Sequence, residues 1–338
     1  MAMVTGFLVA AALAAGPSAT PLASAQVVPT TYEAGHFYAT PETADGHRLR
    51  LQVDTGGGGN ATMYWISAAA AKRLGLKTAS CLLGKQPTPV APLPDYRPGH
   101  GLPPPASNPC GNALLVAPKG TGDADGQLGG AYLSGGLAWT FDYPAKRLIA
   151  EGSAWRPDAR AHATPLGFQR DDKGEMTDGF ARITLHVDGQ PLEMLLDTGA
   201  TAHPSAAGEK ASGTPTVNGI GIASYITTSV MNRWHKAHPG WRVVAKGDDL
   251  AGARYAARLI EVPKVDIAGW TVGPVWFTER PDTAFHDFMS SMMDKRVEGA
   301  AGGNIFQHFV MSIDYPHATA YFRCVRGCKA VATPPPAP

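Results

Sequence analysis

Alternation of apolar and polar residues predicts short β-strands along most of the chain. Residues 180–187 place an apolar side chain at nearly every second position, and residues 262–277 alternate in the same way around an Ala-Gly dipeptide. Two strand-like segments, residues 51–53 and 192–196, lead directly into the tripeptide Asp-Thr-Gly. We therefore expect a mainly β fold in which two buried strands each end in a tight, glycine-containing turn.

Helical periodicity is confined to a few short segments. Residues 67–76 predict a helix that is capped by Ser67 and ended by Gly75. Residues 229–238 are also helical in pattern. Residues 282–298 predict an amphipathic helix, and we interpret its Phe and Met side chains as core residues and not as a ligand site.

The two Asp-Thr-Gly tripeptides belong to an internal repeat. The segments that contain them align without gaps and share six of twelve residues, including an Asp-Gly dipeptide that favours a hairpin turn. Glycine-rich turns and strand-like Asp-Tyr-Pro segments also recur in the same order. The chain therefore predicts two copies of one β-rich unit. The matched segments are 45–56 with 188–199, 126–130 with 299–303, and 137–144 with 309–316.

Length and composition agree with this organisation. A chain of 338 residues suits two domains of ordinary size or one large two-lobed domain. The 39 glycines and 29 prolines, with only 17% charged residues, favour turn-rich β structure over a helical bundle. A net charge of +1 provides no basic field, which argues against nucleic acid as a partner.

The first 25 residues resemble a secretory signal peptide. The apolar run of residues 7–15 is too short to span a bilayer comfortably, and Ala23-Ser24-Ala25 fits a cleavage site before Gln26. No Lys or Arg precedes the apolar run, and an uncleaved anchor is the alternative. We expect a secreted or periplasmic protein without stable membrane insertion after cleavage.

Four cysteines fit an oxidising compartment. We pair Cys81 with Cys110 and Cys324 with Cys328, because each disulfide then stays within one lobe, although the sequence allows two other pairings. A four-cysteine zinc site is the rival, but the Cys-x₂-Cys spacing is absent from the sequence. Residues 84–111, rich in Pro and Gly, predict a surface loop held at its base by the first disulfide.

Other catalytic classes lack their sequence signatures. The eleven histidines form no His-Glu-x-x-His pattern, and no Gly-x-Ser-x-Gly element presents a serine nucleophile. We expect neither a metal nor a cofactor. Asp142 and Asp314 precede Tyr-Pro at the ends of strands, and we interpret them as residues of turns or ion pairs outside the site.

The repeated tripeptides resemble the catalytic motifs of aspartic peptidases, both pepsin-like and retropepsin-like. Residues 65–76 are similar to the strand and helix that follow the motif in bacterial retropepsin-like domains, and residues 217–223 resemble their flap. The glycine-rich turns and Asp-Tyr segments resemble the closing segment of each lobe. One difference is position 57, which is Gly where pepsins carry Ser or Thr and retropepsins carry Ala.

The resemblance implies a bilobal, acid-protease-like β-barrel pair with a few short helices. Because both motifs lie in one chain, a monomer is expected in preference to a dimer. The expected divisions are a signal peptide (1–25), an N-terminal retropepsin-like lobe (26–155), a linker (156–165), a C-terminal retropepsin-like lobe (166–330) and a Pro-rich tail (331–338).

The resemblance also implies roles for individual residues. Asp54 and Asp197 would form a carboxylate dyad that shares one proton and activates water for hydrolysis of a peptide bond. The alternative is a non-catalytic protein that binds peptides or other ligands on the same fold. Around the dyad, the expected support residues are Thr55, Gly56, Thr198 and Gly199, and the candidate flap is Val217, Asn218, Gly219, Ile220 and Gly221.

Overall fold

A computed structural model describes residues 22–331, so most of the predicted signal peptide and residues 332–338 of the predicted tail lie outside the described range. We call strands β1–β11 the first half and β12–β26 the second half. The first half contains β1 Gln26–Val28, β2 Thr30–Glu33, β3 His36–Ala39, β4 Leu51–Val53, β5 Trp65–Ser67, β6 Ala79–Leu83, β7 Gln86–Pro92, β8 Ala113–Ala117, β9 Gly126–Leu128, β10 Ala138–Asp142 and β11 Arg147–Ala150. The second half contains β12 His162–Pro165, β13 Arg182–Val187, β14 Gln190–Leu196, β15 Thr201–Ala202, β16 Gly221–Ile222, β17 Tyr225–Thr227, β18 Val243–Asp248, β19 Ala257–Val262, β20 Val265–Ile267, β21 Trp270–Val272, β22 Val275–Arg280, β23 Gly299–Ala301, β24 Phe309–Asp314, β25 Thr319–Cys324 and β26 Cys328–Ala330.

The helices are short and lie between the strands. The first begins as predicted, because the Ser67 hydroxyl accepts a hydrogen bond from the Ala70 N–H at 3.1 Å, and Gly75 follows its end at a φ of +65°. The helices are α1 Ala68–Arg73, α2 Gly130–Leu133, α3 Ala206–Ser212, α4 Thr228–Ala237 and α5 Gly303–Phe306, with a 3₁₀ turn at Ala253–Tyr255.

The prediction of one amphipathic helix over residues 282–298 is wrong. A π-helical turn, Thr283–Phe288, is followed by a 3₁₀ turn, Met289–Met292, which ends at Met293 in an extended backbone conformation. Ser290 provides the reason, since its hydroxyl donates to the Phe285 carbonyl oxygen at 2.6 Å and accepts from the Val297 N–H at 2.9 Å. Phe285 and Met293 are buried as expected, whereas Phe288 is exposed.

The Pro-rich stretch 84–111 is also more regular than predicted. Its first part forms β7, which pairs with β6 from Gln86 to Val90 and with β8 from Val90 to Pro92. Pro87 and Pro89 lie in the portion that pairs on one side alone, where the missing N–H removes no hydrogen bond from a second ladder. The loop prediction therefore fails for residues 86–92.

The two halves share one strand topology, in agreement with the sequence repeat. In the first half β4 pairs in parallel with β9, β9 pairs antiparallel with β5, and β5 pairs in parallel with β8. In the second half β14, β23, β17 and β22 repeat the same pairings in the same order. The full strand orders are β2-β3-β4-β9-β5-β8-β7-β6 and β18-β19-β22-β17-β23-β14-β13-β20-β21-β26.

A third sheet joins the halves, with the order β1-β11-β10-β24-β25-β12. At its centre β10 and β24 pair antiparallel, and Thr140 lies opposite Ser312 with their Oγ atoms 2.8 Å apart. These two residues are equivalent in the sequence repeat, so the pairing is centred on an approximate twofold axis. The last four residues of the predicted linker form β12, at an edge of this shared sheet.

One hydrophobic core extends through both halves and the shared sheet. Tyr143, which follows β10, contacts Phe37 of the first half and Phe306 of the second, with ring centroids 5.2 and 6.3 Å apart. The prediction of a mainly β, two-lobed fold with a few short helices is confirmed. Among residues 22–331, none of the helices has the length and apolar character needed to cross a membrane.

Candidate active site

Two equivalent strands bring the predicted aspartates together. Asp54 follows β4 and Asp197 follows β14, and their main-chain N–H groups donate to Leu128 and Ala301 carbonyl oxygens at 3.0 and 2.9 Å. Glycine is required where the two turns meet. A Cβ atom on Gly56 would lie 2.6 Å from the Asp197 Cγ, and one on Gly199 would overlap the Asp54 carboxyl group.

The threonines of the two tripeptides hold the turns against each other. The Thr55 N–H donates to Thr198 Oγ1 at 3.1 Å, and the Thr198 N–H donates to Thr55 Oγ1 at 3.0 Å. Each hydroxyl in turn donates to a carbonyl oxygen of the opposite strand, Thr55 to Leu196 at 2.7 Å and Thr198 to Val53 at 2.9 Å. Four buried hydrogen bonds therefore fix the separation of the two aspartates.

The dyad carboxyl groups are buried and electrostatically coupled. Asp54 is 9% exposed and Asp197 is 8% exposed, and each accepts a hydrogen bond from a glycine N–H of its own turn, at 2.9 and 3.0 Å. Burial raises the pKa of both carboxyl groups. The charge of Asp54 raises the pKa of Asp197 further, because two adjacent carboxylates cannot both ionise cheaply. The arrangement therefore favours one proton shared by the pair.

Gln127 contacts the dyad directly, and the sequence analysis missed it. Its amide Nε2 donates to Asp54 Oδ2 at 2.7 Å, while its Oε1 accepts from the Trp65 indole N–H at 3.2 Å. One signal was available in the sequence, because the first glycine-rich turn carries polar Gln127 where the second carries Ala300.

Two further buried polar side chains of the first half contact the turn that carries Asp197. Gln52 Nε2 donates to the Gly199 carbonyl oxygen at 3.3 Å, and His36 Nε2 lies 3.2 Å from the Ala200 carbonyl oxygen. Burial lowers the pKa of His36 from 6.5 to about 4, so the imidazole is neutral near pH 7 and its Nε2 carries the hydrogen that it donates. Side chains of the first half therefore contact Asp54 itself and the turn that carries Asp197.

A cavity of about 350 Å³ lies between residues of the first half and the segment that follows Asp197. Gln52 lies in β4, and Arg50 directly precedes that strand. Arg50 and Gln52 line the cavity, together with Thr201 of the turn that follows Asp197, whereas the two aspartates do not. The Arg50 guanidinium pairs with Glu33 at 2.8 Å and stacks on the Tyr38 ring at 3.6 Å.

The candidate flap borders this cavity. Val217 and Ile220 exchange main-chain hydrogen bonds at 2.9 and 3.0 Å around Asn218 and Gly219, which both have positive φ, as a type I′ turn requires. Val217, Asn218 and Ile220 line the cavity opposite the turn between β2 and β3. The candidate flap lies in an insertion after the second Asp-Thr-Gly. The hairpins that occupy corresponding positions in the two halves are β6–β7 and β18–β19, so the candidate flap is not one of this pair.

Asp142 and Asp314, which were predicted to lie outside the site, contact residues close to them in the chain. Asp142 accepts hydrogen bonds from the Ala145 N–H and the Arg147 guanidinium, and Asp314 contacts His317.

Both predicted disulfides are present, Cys81–Cys110 and Cys324–Cys328. The first links β6 to the end of the Pro-rich stretch, as expected.

Among known proteins, the chain is similar to several solved structures. No protein-family model matches the chain, and no characterised protein matches it by sequence. An aspartic proteinase from Irpex lacteus is 12% identical, with a TM-score of 0.47, covering 90% of this chain and 98% of that one. Conglutin gamma, a basic 7S globulin from lupine seeds, is 11% identical with a TM-score of 0.46, covering 90% and 95%. Basic 7S globulin from soybean is 12% identical with a TM-score of 0.43, covering 89% and 94%.

Proposed function

We propose that this chain is an aspartic-type endopeptidase that hydrolyses peptide bonds. The observation that supports the proposal best is the pairing of Asp54 and Asp197, two buried carboxyl groups with raised pKa, on turns that are locked together by Thr55 and Thr198. Two adjacent buried carboxyl groups destabilise a fold when both are ionised, so this arrangement favours a catalytic role over a purely structural one.

The chemistry follows from one shared proton. The ionised aspartate takes a proton from a water molecule held between the two carboxyl groups, and the oxygen of that water attacks the carbonyl carbon of the scissile peptide bond. The protonated aspartate donates its hydrogen bond to the carbonyl oxygen and stabilises the charge that develops there. When the C–N bond of the tetrahedral intermediate breaks, the aspartate that accepted the proton from water donates it to the nitrogen of the leaving amine, and the proton on the former carbonyl oxygen returns to the other aspartate.

The proposed substrate is a peptide or protein segment in extended conformation. The cavity beside Gln52 and Thr201 has room for a side chain of the substrate, and it combines apolar walls with the Arg50–Glu33 ion pair. The Val217–Gly221 segment is the proposed flap, since its turn borders the same cavity. No cofactor is required by this chemistry.

A single copy of the chain supplies both aspartates, one from each proposed lobe (26–155 and 166–330), so we propose that the monomer is active. The two disulfides support a secreted or periplasmic location, where oxidising conditions maintain them.

Digestion of a diverse peptide library between about pH 3 and pH 7 tests the proposal, since a coupled carboxyl pair holds one proton in that range. We expect cleavage by the wild type, inhibition by a statine-type transition-state analogue, and loss of at least about 10³-fold in kcat/KM for Asp54→Asn and Asp197→Asn. Asp171→Asn is the matched control, because Asp171 lies in an exposed turn.

The same peptide library distinguishes a peptidase from the alternative, a non-catalytic binding protein. Tight binding of peptides by a wild type that cleaves none of them across this pH range would indicate a binding protein. Retained cleavage in both Asn variants, with normal folding, would exclude the dyad as the catalytic group.

A further inference from the structure

The two halves place different side chains at equivalent positions beside the dyad. In the first half Gln127 lies opposite Gln52 on one neighbouring strand and opposite Trp65 on the other. In the second half Ala300 occupies that position, opposite Leu195 and Tyr225. The registers are the same, so the difference lies in the side chains alone. Gln127 is buried, with 6% of its surface exposed.

The contacts of Gln127 define the orientation of its amide group. An indole N–H can only donate, so the atom 3.2 Å from Trp65 Nε1 is the amide oxygen. The amide nitrogen is then the atom 2.7 Å from Asp54 Oδ2, and it donates to that carboxylate. Asp54 therefore has a donor on each oxygen, Gly56 N–H on Oδ1 and Gln127 on Oδ2.

Gly57 leaves the space that the Gln127 amide occupies. A Cβ atom at position 57 would lie 2.5 Å from the Gln127 Cδ and 2.7 Å from its Nε2. Gly57 does not adopt a positive φ, so its backbone would accept another residue if the amide were absent. Gly57 and Gln127 are thus complementary: the missing side chain at one position makes room for the amide of the other.

Asp197 has no equivalent of this contact in the described part of the chain. The residue after its turn is Ala200, and Ala300 stands where Gln127 would be. Asp197 accepts a hydrogen bond from the Gly199 N–H of its own turn, and its contact with Asp54 favours the protonated form of Asp197. Tyr225, which replaces Trp65, uses its hydroxyl instead to accept from the Thr201 N–H at 2.6 Å.

We propose that Gln127 is a positioning residue that holds Oδ2 of Asp54 and makes Asp54, and not Asp197, the ionised carboxylate of the singly protonated pair. A hydrogen bond donated to a carboxylate favours its charged form. Asp54 would then accept the proton from water, and Asp197 would donate to the substrate carbonyl. This assignment rests on the proposed function.

The other titratable groups around the pair do not compete with this effect. Burial raises the pKa of Tyr143, Tyr225 and Tyr315 well above 10, and His36 is neutral above about pH 4. Arg280 stacks on the Tyr225 ring, 4.3 Å from its centroid. Within residues 22–331, Asp197 is therefore the titratable group whose protonation is linked to that of Asp54.

The pH profile of kcat/KM tests the proposal. In Gln127→Leu the ionised form of Asp54 loses one donor, so the midpoint of the acid limb should move to higher pH by about 1 unit. Trp65→Phe keeps Gln127 but releases its amide oxygen, and should move the midpoint in the same direction by less. Gln307→Leu is the matched control, because that exposed amide donates to the Asn304 carbonyl oxygen and does not line the cavity, so its removal should leave the midpoint unchanged.

A rescue variant separates positioning from packing. In Gln127→Ala combined with Gly57→Ser, the serine hydroxyl would enter the vacated space and donate to Asp54, so the midpoint should return toward the wild-type value. Gln127→Ala combined with Gly57→Ala fills the space without a donor and should leave the midpoint high. An unchanged midpoint in Gln127→Leu, or equal recovery in both double variants, would overturn the proposal.

A readout that does not need turnover keeps this test separate from the proposed function. In protein labelled with ¹³C at the aspartate carboxyl carbons, NMR titration should show the first ionisation of the pair on Asp54, and Gln127→Leu should raise its midpoint by about 1 pH unit. If the wild type cleaves no peptide, the proposed function fails while this titration still decides the role of Gln127. First ionisation on Asp197 in the wild type would refute that role.

Discussion

Thr55 and Thr198 each donate a main-chain N–H to the hydroxyl of the other, and each hydroxyl donates onward to the opposite strand. The two residues are equivalent in the sequence repeat. Their exchange is thus symmetric about the same approximate twofold axis that passes between Thr140 and Ser312 in the shared sheet. The two turns that carry the dyad are therefore held together directly by this pair of residues.

Removing either hydroxyl should destabilise the fold. Thr198→Val leaves the Thr55 N–H without an acceptor and the Val53 carbonyl oxygen without that donor, which should lower the free energy of unfolding by about 2 kcal/mol. Thr198→Ser keeps the hydroxyl and is the control. In a double-mutant cycle with Thr55→Val the two losses should not be additive. Additive losses by denaturant titration would show that the hydroxyls act independently.

The buried dyad should make the protein less stable as the pH rises. Because the folded-state pKa of Asp197 is raised, stability is greatest below the ordinary Asp value and falls as the pH increases through the raised value. Asp197→Asn removes the second ionisable group, so near pH 7 it should increase the free energy of unfolding by about 1–3 kcal/mol. Urea titrations of both proteins at several pH values measure the difference. A variant that is less stable than the wild type at pH 7 would contradict this prediction.

His36 should have the opposite effect in acid. Its pKa is lowered from 6.5 to about 4 by burial, so the unfolded chain takes up a proton first, and stability is lost as the pH falls between these values. The loss should reach about 3 kcal/mol near pH 4. His36→Gln keeps a donor toward Ala200 but does not titrate, and its unfolding free energy should fall less over this interval. Exposed His235→Gln is the control, and an equal slope in both variants would argue against the prediction.

The two disulfides should contribute unequally. They close loops with sequence separations of 29 and 4 residues. The chain-entropy relation gives about 3–4 kcal/mol for the longer loop and about 2 kcal/mol for the shorter one. Replacing Cys81 and Cys110 by serine should therefore lower the denaturant midpoint more than replacing Cys324 and Cys328. A larger effect of the second pair would indicate that native-state contacts outweigh loop length.

The sequence predicts the features that recur in both halves. The two Asp-Thr-Gly turns, the matched glycine-rich turns and the Asp-Tyr-Pro strands could be located because local patterns encode them. The pairings that place them together follow from strand topology, and the sequence repeat indicated that topology. Short helices with clear caps, such as the one that begins after Ser67, were also predictable.

What could not be predicted depends on contacts between distant segments. Gln127 meets Asp54 only because β9 pairs in parallel with β4, 73 residues away along the chain. The environment of His36 is set by the turn after Asp197, more than 160 residues later. The helix expected over residues 282–298 is interrupted by hydrogen bonds of Ser290 that periodicity does not reveal.

The shared sheet has a consequence for any chain that contains one half alone. Without its partner, β10 would present an open row of N–H and C=O groups to solvent. Since the pairing of β10 with β24 is centred on the equivalent residues Thr140 and Ser312, that edge is close to self-complementary. A fragment ending near residue 155 is therefore expected to associate with a second copy through this edge and form a homodimer.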